Sequence, residues 1–271
     1  RPTTRHALLY GGSRSGKTAL IIRAMCLRAM RAPGSRHAAL RFRFNACKAS
    51  IALDTFPKVM RLAFPSIGYQ IDKTSWFAAF PNGSELWFAG LDDKERTEKI
   101  LGQEFATLLL SECSQISWQA RGLVVTRLAQ HVEEQVAGRP AKYLPLRMYY
   151  DENPPDKAHW SYRYFVQHID PETREPIRNP EEVVAIQMNP RDNLANLPAD
   201  YLDTLRTLSP RLRRRFLDGE FKEANPDALF PEQSLDKWRV LDVELPDMQR
   251  IIIAVDPSGA GETDNEENDE I

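Results

Sequence analysis

A chain of 271 residues has room for one large domain or two smaller ones, and an apolar fraction of 42% is enough for a sizeable core. Its net charge of −2 excludes a broadly basic nucleic-acid coat, so any contact with DNA has to come from local patches. The three cysteines, Cys26, Cys47 and Cys113, have neither metal-like nor disulfide-like spacing, which suits a reducing compartment such as a host cytoplasm. There is no signal peptide and no apolar run long enough to span a bilayer. The abrupt start before the first strand and the stop inside an acidic tract read as a fragment of a longer protein.

In chain order, residues 5–10 read as a strand. Residues 17–30 read as its helix, ended by Pro33-Gly34. Residues 38–44 form a second strand pattern, and 49–64 an amphipathic helix kinked or split at Pro57. Strand patterns at 75–80 and 85–89 flank Pro81-Asn82-Gly83-Ser84, a hairpin in which Asn-Gly is expected to supply the positive φ angles of a tight turn. The continuous apolar run 105–110 reads as a buried parallel strand. Residues 118–132 read as a helix, 144–150 as a strand ending at Asp151-Glu152-Asn153-Pro154-Pro155, and 159–168 as an aromatic-rich helix on the sheet. Beyond residue 170 Pro and charge become frequent. There, 183–188 reads as a lone strand, 201–216 as a helix broken at Pro210, and 250–257 as a buried strand ending in Asp256. Alternation of strands and helices predicts an α/β fold: a mostly parallel sheet flanked by helices.

The stretch after the first strand, Gly11-Gly12-Ser13-Arg14-Ser15-Gly16-Lys17-Thr18, satisfies the GxxxxGK[ST] pattern in its strand-to-helix context. Backbone N–H groups of such a P-loop converge on phosphate oxygens at the positive end of a helix. Lys17 reaches the β- and γ-phosphates of ATP, and the Thr18 hydroxyl ligates Mg²⁺. A partner carboxylate is needed at a neighbouring strand tip. Leu108-Leu109-Leu110-Ser111-Glu112 places Glu112 there, to orient and deprotonate the attacking water. Position 111, where the metal-side acid usually stands, is Ser, which can hold a metal-bound water through its hydroxyl without adding charge. Arg14 inside the loop reads as a phosphate-facing cation, Arg41 as a contact to the nucleotide, and Arg127 as a finger offered to a neighbouring subunit. Asn153 can sense the γ-phosphate. Asp256 can ligate Mg²⁺ in a nuclease site, and the cluster Arg211, Arg213, Arg214 and Arg215 can meet DNA phosphates or face solvent.

Two strand segments, around Leu40 and Trp87, lie along the chain between the P-loop and Glu112. That arrangement resembles the additional-strand, catalytic-glutamate ATPases. The ordered set of pieces resembles the large terminase subunit of tailed bacteriophages: the arginine-containing P-loop, Leu40-Arg41-Phe42-Arg43, the hairpin 82–92, and Leu110-Ser111-Glu112-Cys113 where the family has Asp or Glu followed by Glu and Ala. Asn153-Pro154-Pro155 is similar to its coupling motif, Phe216-Leu217-Asp218-Gly219-Glu220-Phe221 to its Gly-Glu-Trp element, and Val255-Asp256-Pro257-Ser258 to the first strand of its RNase H-like nuclease. The resemblance implies a P-loop ATPase domain over 1–180, a linker or lid subdomain over 181–245, and the start of a truncated nuclease domain over 246–271. It implies a motor that hydrolyses ATP with Mg²⁺ and translocates double-stranded DNA into a prohead. Its partners would be the portal, the small terminase subunit and other copies of itself in a ring. Two other readings stand beside it: a helicase-like or recombination ATPase, and a nuclease or DNA-docking module whose P-loop is only structural.

Overall fold

The computed structural model describes residues 3–92, 100, 102–138, 140–222 and 250. Arg1–Pro226 forms one compact unit. The expected strand 250–257, Asp256 and the proposed nuclease start lie outside the described residues, Arg250 apart.

The apolar run β1 (His6–Tyr10) feeds the P-loop and then α1 (Lys17–Arg31). β2 (Arg36–Arg41) follows, and then one continuous helical segment: α2 (Phe44–Cys47), a π-helical stretch Lys48–Thr55 and α3 (Phe56–Ala63). Pro57 splits nothing. It stands in the first turn of α3, where the wider π-helical stretch before it absorbs the missing N–H. β3 (Gln70–Asp72), β4 (Phe77–Ala79) and β5 (Glu85–Gly90) come next, then β6 (Thr107–Ser111) and α4 (Trp118–Val125). A two-stranded ribbon, β7 (Glu133–Glu134) with β8 (Lys142–Tyr143), precedes β9 (Arg147–Glu152). α5 (Trp160–Tyr162) continues as a π turn through Gln167. β10 (Val183–Gln187), α6 (Tyr201–Arg206) and α7 (Pro210–Arg213), extended by Arg214–Asp218, complete the described chain.

The main sheet has the order β10-β1-β9-β6-β2-β5-β4-β3, parallel from β10 to β5 and antiparallel at β4 and β3. Two sequence expectations change here. The strand that separates the P-loop strand from the Glu112 strand is β9, which comes later in the chain. β2 and β5 lie beyond β6, on its far side. The strand at 183–188 is not solitary, because β10 pairs in register along the outer edge of β1.

Both faces of the sheet are covered, which is why its strands read as unbroken apolar runs. On one face Leu8, Leu108, Leu110 and Tyr150 pack with Trp160, Phe165 and Val124. On the other, Leu9, Leu109, Leu86 and Phe88 pack under α1 and the 44–63 helical segment, around Ile22, Met25, Ile51 and Phe56. The hairpin also departs from its expected turn. Only Gly83 has a positive φ, of 77°. Asn82 donates its side-chain amide to the Ala29 carbonyl at 2.9 Å, and Ser84 Oγ reaches the carbonyls of Ala29 and Ala32. The loop thus satisfies the exposed C-terminal carbonyls of α1 and fixes that helix to the sheet.

The segment 189–219 returns onto the P-loop. Phe216 O accepts from Ser13 N at 2.8 Å, Asn189 Oδ1 from Gly12 N at 3.0 Å, and Arg14 O from Asn193 Nδ2 at 2.8 Å. Gly219 makes this fit possible. Its φ is 64°, and a Cβ there would stand 2.2 Å from Asn189 Oδ1 and 2.6 Å from Gly11 Cα. Gly219→Ala is expected to lower the melting temperature by roughly 5 °C or more, because neither backbone can retreat. An unchanged thermal unfolding midpoint would show the segment docks differently.

Candidate active site

β1 ends at the C-terminal edge of the sheet, where open α/β folds bind ligands. Gly11, at φ 140°, and Gly16, at φ 87°, turn the chain tightly enough to wrap the loop around an open centre. Gly16 caps α1 without a side-chain hydrogen bond, so the first N–H groups of that helix are left facing the loop. The Lys17 ammonium is buried and drawn back across the loop. It donates to Gly11 O at 3.1 Å, Gly12 O at 2.6 Å and Ser15 Oγ at 3.0 Å, and reaches Asn153 Oδ1 at 3.4 Å. Burial lowers its pKa to about 8, against the opposing pull of Asp151 and Glu152. A phosphate at this spot supplies the counter-charge that burial removes.

Glu112 sits at the tip of β6 in a left-handed conformation, φ 51°. Its side chain is 43% exposed, and its Oε2 is ion-paired with the Arg41 guanidinium. Arg41 also donates to Ser50 Oγ at 2.7 Å. Arg41 therefore stands at the nucleotide edge, bonded to Glu112. Arg14 projects outward from the loop at φ 58°. Arg127 is not brought to this site. It falls after α4, not within a helix running to 132, and its carbonyl accepts from Phe105 N before the start of β6. That is the opposite end of the strand from Glu112, about 17 Å away for five extended residues.

The sequence reading ends the strand before Asp151. The structure runs β9 through Glu152, and both carboxylates are buried in the sheet edge. Asp151 pairs laterally with Leu9 on one side and Ser111 on the other. Its Oδ1 accepts from Ser111 Oγ at 3.1 Å and from Glu112 N at 2.9 Å. Its Oδ2 is buried and accepts no well-formed hydrogen bond from a described residue. Burial raises the Asp151 pKa. The Thr18 hydroxyl, Lys17, Ser111 and Arg41 all oppose that rise. Glu152, on the other face, accepts from Ser161 Oγ at 2.8 Å and from Cys113 Sγ at 3.3 Å, and burial raises it to about 7. The signal for both was present as two acids directly after an apolar strand. No sequence signal pointed to Asn189 or to the Phe216 carbonyl as P-loop contacts.

The glycine loop on β1, the inserted β9 and an acid at the tip of β6 define a P-loop NTPase of the additional-strand, catalytic-glutamate class. The sequence profile of the phage terminase large subunit family matches residues 3–219, and the chain belongs to that family. Its fold is similar to the full-length large terminase of a thermophilic bacteriophage solved with ADP, with a TM-score of 0.62, 12% identity, and coverage of 82% of this chain and 49% of that one. The same phage protein solved with ATP-gamma-S gives a TM-score of 0.60 at 12% identity, over 82% of this chain and 48% of that one. The ATPase domain of the Thermus phage P74-26 large terminase gives 0.54 at 15% identity, over 82% of this chain and 90% of that one. The chain therefore spans about half the length of the first of these proteins and nearly all of the P74-26 ATPase domain. No curated protein matches the chain. Among the described residues no helix is long and apolar enough to cross a membrane.

Proposed function

We propose that this chain is the ATP-hydrolysing motor part of a large terminase and drives double-stranded viral DNA into a prohead in the host cytoplasm. The carrying observation is the Lys17 ammonium, held at the centre of the glycine loop by the carbonyls of Gly11 and Gly12 with Asn153 beside it, while Glu112 stands on a neighbouring strand tip of the same sheet edge. ADP and ATP-gamma-S in the structures of the thermophilic phage's terminase support the nucleotide. The family supports the packaging task, the portal, the small subunit and a ring of copies as partners. The domain division at 180/181 and 245/246 belongs to the same proposal.

In this reading the loop 11–16 and the first turn of α1 bind the triphosphate, and Lys17 and Arg14 balance the charge that builds on the transferred phosphoryl. Glu112 orients the attacking water and takes its proton. Asn153 touches both Lys17 and the strand that carries Asp151, so it is placed to report the γ-phosphate to the sheet edge. Arg127 would act only on a neighbouring copy. A magnesium–nucleotide complex fits the residues present, because a buried carboxylate oxygen without a well-formed bond lies close to Thr18. Mg²⁺ would neutralise charge between the β- and γ-phosphates.

Lys17→Ala is expected to lose ATP turnover and to weaken nucleotide binding by at least about tenfold, since one charge-assisted contact to phosphate contributes roughly 1.5–3 kcal/mol. Steady-state phosphate release and titration with a fluorescent ATP analogue check both. Stimulation of turnover by proheads carrying a portal, and not by DNA forks, checks the packaging task. Wild-type turnover in Lys17→Ala would sink the ATPase reading.

A further inference from the structure

We propose that Asp151 supplies the metal-side carboxylate of this site, from the inserted strand β9, in place of an acid at position 111. The proposal rests on the ATPase reading and names the group that reading lacks.

A divalent cation between phosphates takes hard oxygen ligands, commonly one or two carboxylates beside the P-loop hydroxyl. The residue preceding Glu112 is Ser111, which carries no charge. Among the described residues no three acids, histidines or cysteines gather into a self-sufficient metal cage, so the site needs one well-placed acid and the nucleotide's own oxygens. Asp151 meets that need on three independent grounds.

The first is position. Asp151 lies in register between Leu9 of β1 and Ser111 of β6, so it is one strand closer to the P-loop than Ser111, about 4.8 Å. The second is the face. Side chains alternate along a strand, and Asp151 shares its face with Leu9, Leu109 and Tyr149, which pack under α1. That helix begins at Lys17 and Thr18. Glu152 faces the other side and is already taken by Ser161 and Cys113. The third is the open valence. Asp151 is 2% exposed, and its Oδ1 is filled by Ser111 Oγ and Glu112 N. Its Oδ2 is buried with no well-formed bond from a described residue. Buried carboxylate oxygens are rarely left this way without a ligand to come. Ser111 becomes a positioning residue: its hydroxyl orients the Asp151 carboxylate and turns Oδ2 towards Thr18.

The test measures metal and nucleotide binding, apart from turnover. Nucleotide affinity for ADP and ATP-gamma-S is measured with and without Mg²⁺, and Mn²⁺ binding in the presence of ADP is followed by loss of the free-ion EPR signal. Asp151→Asn is expected to cut the metal-dependent gain in affinity at least about tenfold while leaving metal-free affinity within about twofold. Its melting temperature without ligand should be unchanged or higher, because a buried charge is removed; a merely structural aspartate would give a lower one. Ser111→Ala, which keeps the charge, should weaken Mn²⁺ binding by about threefold to tenfold and serves if Asp151→Asn does not fold. Full metal-dependent affinity in Asp151→Asn, or in Ser111→Ala where that is the variant available, overturns the assignment. So does an equal loss of metal-free affinity. A wild-type protein that binds no nucleotide, with or without metal, overturns the ATPase reading itself, an outcome distinct from the other two.

Discussion

Glu112→Gln is expected to bind ATP as the parent does and to hydrolyse it about 10²- to 10⁴-fold more slowly. That loss corresponds to roughly 3–5 kcal/mol of barrier. The substitution keeps the shape of the side chain and the backbone N–H that Asp151 accepts, and removes only the basic oxygen. Folding should hardly change. The side chain is 43% exposed, and a partly exposed ion pair such as that with Arg41 contributes at most about 1 kcal/mol. Equilibrium binding of an ATP analogue and steady-state phosphate release on the same sample separate the two effects. A variant that still turns over at the parental rate would remove Glu112 from the chemistry and leave Arg41 as its only evident partner.

The second large effect concerns Glu152. Burial lifts its pKa from 4.5 to about 7 in the folded chain, with Asp151 adding to the rise and Ser161, Cys113 and Arg215 opposing it. An acid whose folded pKa is raised favours folding while protonated. Its contribution is fully present below about pH 4.5 and is lost as pH climbs through about 7. The shift corresponds to a loss on the order of 3 kcal/mol by pH 8. Glu152→Gln is neutral at every pH and can still accept from Ser161 Oγ. It is expected to be more stable than the parent at pH 8 and to unfold with a flatter pH dependence between pH 5 and 8. Urea unfolding midpoints across that range check the sign. Parallel curves for parent and variant would show that Glu152 keeps its ordinary titration. The outcome bears on the site, because the Glu152 carbonyl accepts from Gly11 N and holds the base of the P-loop against β9.

Local pattern determined much of this protein before any tertiary contact was known. A glycine-bounded loop between an apolar strand and a helix fixes Lys17 and Thr18 at a helix N-terminus whatever surrounds it, because φ above zero at Gly11 and Gly16 and the free N–H groups of the first turn are properties of that stretch alone. The run 105–110 declared a strand buried on both faces, and Glu112 at its tip followed. The sheet order did not follow, since chain order says nothing about lateral neighbours; β9 reaches the place beside β1 only because parallel strands pair through crossovers. That placement makes Asp151 a buried acid in register with Ser111, brings Arg41 onto Glu112, and carries Arg127 to the far end of β6. It also turns the segment 189–219 back onto the loop through Asn189, Phe216 and Gly219. A chain encodes phosphate-binding geometry within a few residues, whereas the carboxylates around it come from strands more than a hundred residues apart, and only packing decides which of them meet.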